Sequence, residues 1–237
     1  MIAIALAMVI TMAGFVNLET TAKPIETLPD SNQVLFFDDF EADTLKWLGV
    51  GSGSVSKSEV MAFSGDASLN VSSSVWNLEE ALRQIGSPDY PISQVNLDFW
   101  FSLPSNNFNY FVFGLEYVSA HRNIWFRSGI QMLSGQYETD SGVWTDIEGF
   151  PAYTWDISDG YEFWHHATLT VDLNSGSYIE MAVDDYSFDL QALGYKCYDR
   201  TIEGNPVLWG VVYPYFYSGS AAGSSSVLID DITVSLI

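Results

Sequence analysis

Short strand-like segments recur from residue 34 to the end of the chain, and they constrain the fold more than any other feature. Each is rich in β-branched or aromatic residues, and turn signals such as Asn174-Ser-Gly176 separate most of them. The predicted strands are Val34–Glu41, Glu59–Phe63, Ser68–Ser72, Val95–Leu103, Tyr110–Val118, Asn123–Leu133, Trp164–Leu173, Tyr178–Val183, Tyr186–Leu190, Val207–Tyr215 and Val227–Leu236.

Alternation of apolar and polar residues indicates how these strands pack. Leu97, Phe99 and Phe101 share one face of their predicted strand, and Leu169 and Val171 do the same in another. About a dozen strands with one apolar face each predict an all-β fold of two antiparallel sheets packed as a sandwich.

The first 33 residues differ from the rest. Residues 2–16 are an almost unbroken apolar run, and residues 23–33 have the composition of a linker. Two interpretations of residues 1–22 stay open. One is a signal peptide with a small-residue cleavage site at Thr20-Thr-Ala22; the other is a retained anchor or filament helix through which the protein self-assembles. Residues 34–237 form the predicted β-domain.

Two pairs of aspartates mark the ends of this domain. Asp38 and Asp39 interrupt the first predicted strand, and Asp230 and Asp231 interrupt the last. Simple alternation places Asp230 on the same face as Ile232 and its apolar neighbours, where a lone carboxylate is costly unless it is paired, hydrogen-bonded or bound to metal.

Charge and cysteine content exclude some classes of protein. The chain has 30 acidic and eight basic residues and a net charge of -22, so no basic patch is available to bind nucleic acid. Cys197 is the only cysteine, which rules out an intrachain disulfide.

Several motifs resemble known β-sandwich families. The order Phe37-Asp-Asp-Phe-Glu41, Trp47, residues 63–71 and finally residues 228–234 resembles jelly-roll carbohydrate-binding modules. The passage over residues 164–185 resembles the concanavalin A-like and laminin G-like lectins. The resemblance implies a jelly-roll sandwich over residues 34–237, whereas function varies widely among such folds.

The resemblance also implies a structural calcium that ties the first strand to the last. The positions that match this motif are Asp39, Glu41, Asp66 and Asp230. Calcium accepts six to eight oxygen ligands, including backbone carbonyls, so these residues suit it chemically.

Aromatic and polar residues on outward faces predict a carbohydrate-binding surface, because sugars stack on aromatic rings and bond to planar polar groups. In residues 123–133 the side chains of Trp125, Arg127 and Gln131 lie on one face. The alternative is that this face is covered and its tryptophans belong to the core. The full set of predicted ligand contacts is Trp100, Tyr110, Glu116, Trp125, Arg127 and Gln131.

The sequence therefore predicts a secreted or cell-surface, non-enzymatic protein that binds a carbohydrate or cell-surface glycan. The first alternative is a filament subunit that retains its apolar N-terminal helix. The second is a divergent glycoside hydrolase, although the paired acids on alternate positions of one strand, typical of related glucanases, are missing.

Overall fold

The structure is a computed structural model that describes residues 33–74, 78–86, 94–104, 110–119, 124–150, 163–201, 211–219 and 224–237. Within these ranges the chain forms β-strands and no helix, which confirms the predicted all-β class. In chain order the strands are β1 Val34–Asp38, β2 Leu48–Gly51, β3 Ser54–Ser58, β4 Ser68–Ser73, β5 Leu78–Leu82, β6 Ile85–Gly86, β7 Gln94–Ser102, β8 Tyr110–Ser119, β9 Ile124–Arg127, β10 Ile130–Gln131, β11 Gln136–Glu138, β12 Trp144–Asp146, β13 His165–Asp172, β14 Ser177–Val183, β15 Tyr186–Asp189, β16 Tyr198–Thr201, β17 Val211–Gly219 and β18 Ser225–Leu236.

These strands form two antiparallel sheets, which confirms the predicted sandwich. Sheet I has the order β15-β14-β13-β7-β18-β4-β3, and β1 pairs with β18. Sheet II has the order β12-β11-β10-β8-β17-β5-β2, with β9 between β8 and β16, and β6 beside β17. Phe36 in β1 pairs with Val234 in β18, so the first and last of these strands are neighbours, as the resemblance implied.

The core lies between the two sheets, and aromatic rings dominate it. Phe99 in β7 packs edge-on against Phe113 in β8 and Phe216 in β17, with 4.9 Å between ring centroids in both pairs. Such contacts add about 0.5–1.5 kcal/mol beyond the burial of the rings. Leu169 and Val171 in β13 are buried in the same core, so alternation predicted its faces correctly.

Two predicted strands are wrong in detail. Residues 59–63 form a loop, because the backbone N–H of Phe63 bonds to a side chain rather than to a neighbouring strand. The single strand predicted over Asn123–Leu133 is broken between β9 and β10. There the Ser128 hydroxyl takes the place of a ladder partner, accepting from the N–H of Leu115 at 2.9 Å and donating to its carbonyl at 3.1 Å.

A bulge in β18 changes the face on which Asp230 was predicted to lie. Asp230 pairs with Trp100, and β18 then carries one residue more than β7 before the next paired position. Asp231 has a positive φ of 47°, which fits a bulge. Alternation therefore inverts: Ile229 and Ile232 both enter the core, while Asp230 lies on the outer face of sheet I with Trp100.

The predicted leader over residues 1–22 and nearly all of the linker lie outside the described residues, which begin at Gln33. Among the residues that the structure describes, no helix is both long and apolar enough to cross a membrane.

Candidate functional site

The outer face of sheet II, turned away from sheet I, holds a second group of large side chains. Tyr215 and Tyr217 in β17 point to this face because Phe216 between them packs into the core. Val112 in β8 lies beside the two tyrosines and is also buried. We call the whole group the outer cluster; its members are Val112, Tyr215 and Tyr217, edged by Leu82, Tyr110 and Trp144.

Arg127, at the end of β9, packs against this cluster. Its Nε donates a hydrogen bond to Tyr215 Oη at 3.2 Å, and its guanidinium carbon lies 4.7 Å and 5.1 Å from the ring centroids of Tyr215 and Tyr217. Nη1 is 3.6 Å from Glu116 Oε1, and Nε is 3.3 Å from Glu138 Oε2. Two carboxylates and two aromatic rings therefore surround one half-buried cation.

The pKa values of the cluster follow from this burial. Burial raises the pKa of Glu138 and Glu116 raises it further, while Arg127 lowers it. Burial alone would lower the pKa of Arg127, but Tyr215 and the two glutamates raise it, so the guanidinium stays charged. Burial, reinforced by Glu138, raises the pKa of Tyr110 to about 12, which keeps its phenol protonated at neutral pH.

A third carboxylate lies next to this network. Glu80 in β5 is only 3% exposed and lies opposite Tyr217 in the strand pairing. Burial raises the pKa of Tyr217, and a hydrogen bond with Glu80 raises it as well, so the phenol stays neutral. Among the side chains that the structure describes in this network, Glu80, Glu116 and Glu138 thus outnumber one cation, Arg127.

Two glycines allow these side chains to approach the sheet. A Cβ atom at Gly114 would collide with the backbone carbonyl of Ser128 and lie 2.9 Å from Tyr215 Oη. A Cβ atom at Gly129 would lie 2.8 Å from the same hydroxyl and 3.1 Å from Trp144 Cη2. Both positions are closer than ordinary van der Waals contact, so the close packing of Tyr215 and Trp144 on the sheet requires glycine at Gly114 and Gly129.

The edge of the outer cluster leaves part of two aromatic rings accessible. Trp144 in β12 and Tyr110 in β8 are half-buried and meet edge-to-face, with 6.1 Å between ring centroids. Partly exposed rings next to half-buried charged groups are the combination with which proteins bind sugar rings, since the ring stacks on the aromatic face and its hydroxyls bond to the polar groups.

Four of the six predicted ligand contacts lie on this face. Tyr110, Glu116 and Arg127 belong to the network just described. Gln131 in β10 is buried next to Val112, where its Oε1 accepts a hydrogen bond from the backbone N–H of Ser134 at 2.9 Å.

The other two predicted contacts stand apart from these four. The backbone of Trp125 lies in β9, but its side chain is outside the part of the chain that the structure describes. Trp100 lies on the outer face of the opposite sheet, and the ring of Phe63 lies flat on it with 3.7 Å between centroids. The whole sandwich therefore separates Trp100 from the sheet II residues, and a ligand contact at Trp100 stays a prediction.

The sequence analysis missed several members of the site. Tyr217 falls just beyond the end of the predicted strand Val207–Tyr215, and no motif marks Glu80, Glu138 or Trp144. The alternation of tyrosines at 213, 215 and 217 around Phe216 was the one available signal, since it predicts an aromatic outer face opposite a core residue.

The acids predicted to bind calcium lie close to backbone amides. Glu41 Oε1 accepts hydrogen bonds from the N–H groups of Asp66 at 2.8 Å and Ala67 at 2.9 Å. Asp39 Oδ1 accepts from the N–H of Glu41 at 3.2 Å. Across the described ranges, no three Asp, Glu, His or Cys side chains come together as a metal-binding group. Calcium at these residues stays a prediction.

Asp230 uses its carboxylate to hold the loop of residues 59–66. Its Oδ2 accepts hydrogen bonds from the N–H groups of Phe63 at 2.8 Å and Ser64 at 3.1 Å, and its Oδ1 accepts from Asp231 at 2.8 Å. Burial raises the pKa of Asp230 to about 6, although the three amides oppose this shift. Of the alternatives considered for this acid, the structure shows hydrogen bonding, and metal binding at Asp230 stays a prediction.

No protein-family model matches the sequence, and no curated protein matches it either. Several solved structures align with most of the chain at low identity. The CBM22-1 xylan-binding domain of Xyn10C from Paenibacillus barcinonensis is 12% identical, with a TM-score of 0.38, and the alignment covers 89% of this chain and 98% of that domain.

Two further solved structures have similar values. Cellulose induced protein, Cip1, is 14% identical with a TM-score of 0.46, covering 84% of this chain and 96% of its own. The family 11 carbohydrate-binding module from Clostridium thermocellum, in complex with a β-1,3-1,4-mixed-linked tetrasaccharide, is 13% identical with a TM-score of 0.42. The alignment covers 86% of this chain and 95% of that module. The assignment of this chain to the β-sandwich class rests on its own two sheets.

Proposed function

We propose that this protein binds a carbohydrate on the outer face of sheet II. The observation that supports the proposal most directly is the position of Trp144 and Tyr110, whose partly exposed rings adjoin the pair formed by Arg127 and Glu138. A sugar ring stacked on these aromatics would bring its hydroxyls to charged donors and acceptors. Hydrogen bonds to charged groups are about twice as strong as those between neutral groups.

The arrangement of the acids favours binding over hydrolysis. A glycosidase needs one carboxylate that gives a proton and a second that attacks or activates water. Here Glu116 and Glu138 both lie beside the same guanidinium, that of Arg127. The shared guanidinium restrains the positions of both carboxylates, and it opposes the rise in the pKa of Glu138 that burial causes. We therefore propose a non-catalytic role.

A glycan array followed by calorimetry tests this function. Wild-type protein should bind at least one saccharide, and Trp144→Ala should weaken that binding by about 10- to 100-fold, the effect expected when a stacking ring is lost. Tyr186→Ala is the matched control, since Tyr186 is an exposed aromatic residue in β15 of the opposite sheet. Equal loss in both variants, or no binding by the wild type, would contradict the proposal.

We also propose a structural calcium between the loop of residues 59–66 and the last strand. Asp230 and Glu41 both contact this loop, and each carboxylate keeps lone pairs beyond those used by the amides. Backbone carbonyls of the loop would complete the ligand set. Addition of calcium to chelator-treated protein should raise the midpoint of thermal unfolding, and an unchanged midpoint would refute the site.

An extracellular location completes the proposal. The apolar run of residues 2–16 and the small residues at Thr20-Thr-Ala22 support this location. The chain would then consist of a leader over residues 1–22, a linker over residues 23–33 and the β-domain over residues 34–237. Mass spectrometry of the N-terminus of the native protein tests it. Loss of residues 1–22 supports secretion, whereas retention favours an anchored or filament-forming protein.

A further inference from the structure

The outer face of sheet I carries a group of rings of its own, on the opposite side of the sandwich from the outer cluster. Phe63 lies flat on Trp100, with 3.7 Å between ring centroids and 9° between the ring planes. The imidazole of His166, which pairs with Trp100 across the sheet, lies 4.9 Å from the same indole at an angle of 31°. Trp164 meets Phe63 at 6.1 Å and 66°. We call these four residues the sheet I stack.

The sheet I stack is accessible from solvent. Phe63 is 41% exposed, and Trp100 and Trp164 are half-buried. The position of Phe63 does not depend on a ligand, because Asp230 accepts hydrogen bonds from the backbone N–H groups of Phe63 and Ser64. A ligand would therefore meet a ring that is already held in place, which lowers the entropy lost on binding.

A carboxylate and an imidazole at the side of the stack supply polar groups that a ligand reaches. Asp98 lies two residues before Trp100 in β7 and so shares its outer face. Asp98 Oδ1 is 3.0 Å from His166 Nε2, and the two side chains are 35% and 37% exposed. Within the described part of the chain, Asp98 Oδ2 and His166 Nδ1 have no hydrogen-bond partner.

This combination suits a saccharide. A pyranose packs its C–H face against an aromatic ring, and its neighbouring hydroxyls bond to planar polar groups such as a carboxylate and an imidazole. A second copy of the chain is a poorer occupant for the same face. Each copy has a net charge of -22, so association of two copies is opposed by their mutual repulsion.

We propose that the sheet I stack and Asp98 form a second saccharide-binding site, in which a pyranose packs on Phe63 and Trp164 and its hydroxyls bond to Asp98 and His166. This site goes beyond the proposed function, which concerns sheet II. The two sheets of a sandwich pack about 10 Å apart, so one short oligosaccharide does not reach both outer faces. A protein with both sites would hold two glycan chains together.

Calorimetry with cellohexaose and xylohexaose tests the second site. We expect wild-type protein to bind two molecules of at least one of these hexaoses. Phe63→Ala should weaken one of the two binding events by about 10- to 100-fold, because a stacking ring is lost, and Trp144→Ala should weaken the other. Tyr186→Ala, which removes an exposed aromatic ring from β15 of sheet I, is the control and should match the wild type.

Asp98→Asn tests the polar half of the site without removing a ring. The amide has nearly the same size but lacks the charge, so we expect the sheet I binding event to weaken by about 10-fold. Thermal unfolding of all variants establishes that they are folded. Light scattering tests the joining of chains: wild-type protein should increase the scattering of dissolved xylan or hydroxyethylcellulose, and neither Phe63→Ala nor Trp144→Ala should do so.

The outcomes separate this inference from the proposed function. One bound hexaose that only Trp144→Ala weakens would overturn the sheet I site and leave the sheet II function standing. One bound hexaose that only Phe63→Ala and Asp98→Asn weaken would do the reverse. If neither hexaose binds, both fail. A dimer in sedimentation that Phe63→Ala dissociates would overturn the proposal, because the stack would then be an interface between copies.

Discussion

The carboxylate of Asp230 accepts a hydrogen bond from the backbone N–H of Phe63 at 2.8 Å, joining two residues that are 167 positions apart in the sequence. The same oxygen accepts from Ser64. The ring of Phe63 then lies flat on Trp100, the residue that pairs with Asp230 across the sheet. One buried acid thus attaches an early loop to the last strand and places an aromatic ring over sheet I.

Replacement of Asp230 should destabilise the fold. Asp230→Ala removes the acceptor for three amides, and we expect the free energy of unfolding to fall by about 2–4 kcal/mol. Asp230→Asn should also destabilise, because both carboxylate oxygens accept N–H groups and the amide nitrogen would face a donor. Asp231→Asn is the control, since asparagine tolerates the positive φ there and keeps an acceptor for Ser64 Oγ. Urea unfolding measures all three, and a loss in the control equal to that in Asp230→Ala would contradict the assignment.

The raised pKa of Asp230 gives its contribution to stability a defined pH dependence. Burial raises this pKa to about 6 from an ordinary value of 3.8. Between about pH 4 and about pH 6 the folded protein therefore binds a proton that the unfolded chain has lost, so the contribution of Asp230 decreases as pH rises through this window. We expect the stability of the wild type relative to Asp230→Asn to be greatest near pH 4 and to stay constant above about pH 6. A difference that grows with pH in urea unfolding would contradict this sign.

The two glycines beneath the outer cluster should respond differently to alanine. At Gly129 the new methyl group meets the ends of two side chains, Tyr215 Oη and Trp144 Cη2, which shift at moderate cost. At Gly114 it meets the backbone carbonyl of Ser128, which cannot shift without breaking the sheet. We expect Gly129→Ala to cost about 1–3 kcal/mol and Gly114→Ala to cost more. Thermal unfolding gives the order, and equal costs would show that the sheet yields at both positions.

Alternation within a strand was enough to predict the core. Phe99 and Phe101 lie on one side of β7 in every antiparallel arrangement, because side chains on a strand alternate between its faces. The same rule placed Asp230 incorrectly. The bulge at Asp230 and Asp231 adds one residue to β18, and two adjacent aspartates give no sequence signal of the position where the alternation inverts.

Alternation also predicts whether a side chain points outward, but it does not predict to which of the two sheets its strand belongs. Trp100 and Arg127 both point outward, so both were predicted as ligand contacts. Sheet membership depends on strand pairing between distant residues, which placed Trp100 on sheet I and Arg127 on sheet II. The same limitation hid Glu138 and Trp144, whose proximity to Arg127 follows from the pairing of β11 with β10 and β12.

A double-mutant cycle measures how strongly Arg127 and Glu138 are coupled. Arg127→Met leaves Glu116 and Glu138 half-buried without their cation, and we expect it to cost about 3–5 kcal/mol. Once Arg127 is gone, Glu138→Gln relieves part of that cost, so the double variant should be more stable than the sum of the single effects predicts, by about 1–3 kcal/mol.

Urea unfolding of the four proteins in the cycle gives this coupling energy. A second cycle with Lys57→Met and Glu148→Gln, a cation and an exposed acid that form no ion pair with each other, provides the control and should be additive. Additive effects in the first cycle would mean that the guanidinium stabilises the outer cluster through its contacts with the Tyr215 and Tyr217 rings and not through Glu138. Glu138 would then be held near the cluster by its strand and not by the cation.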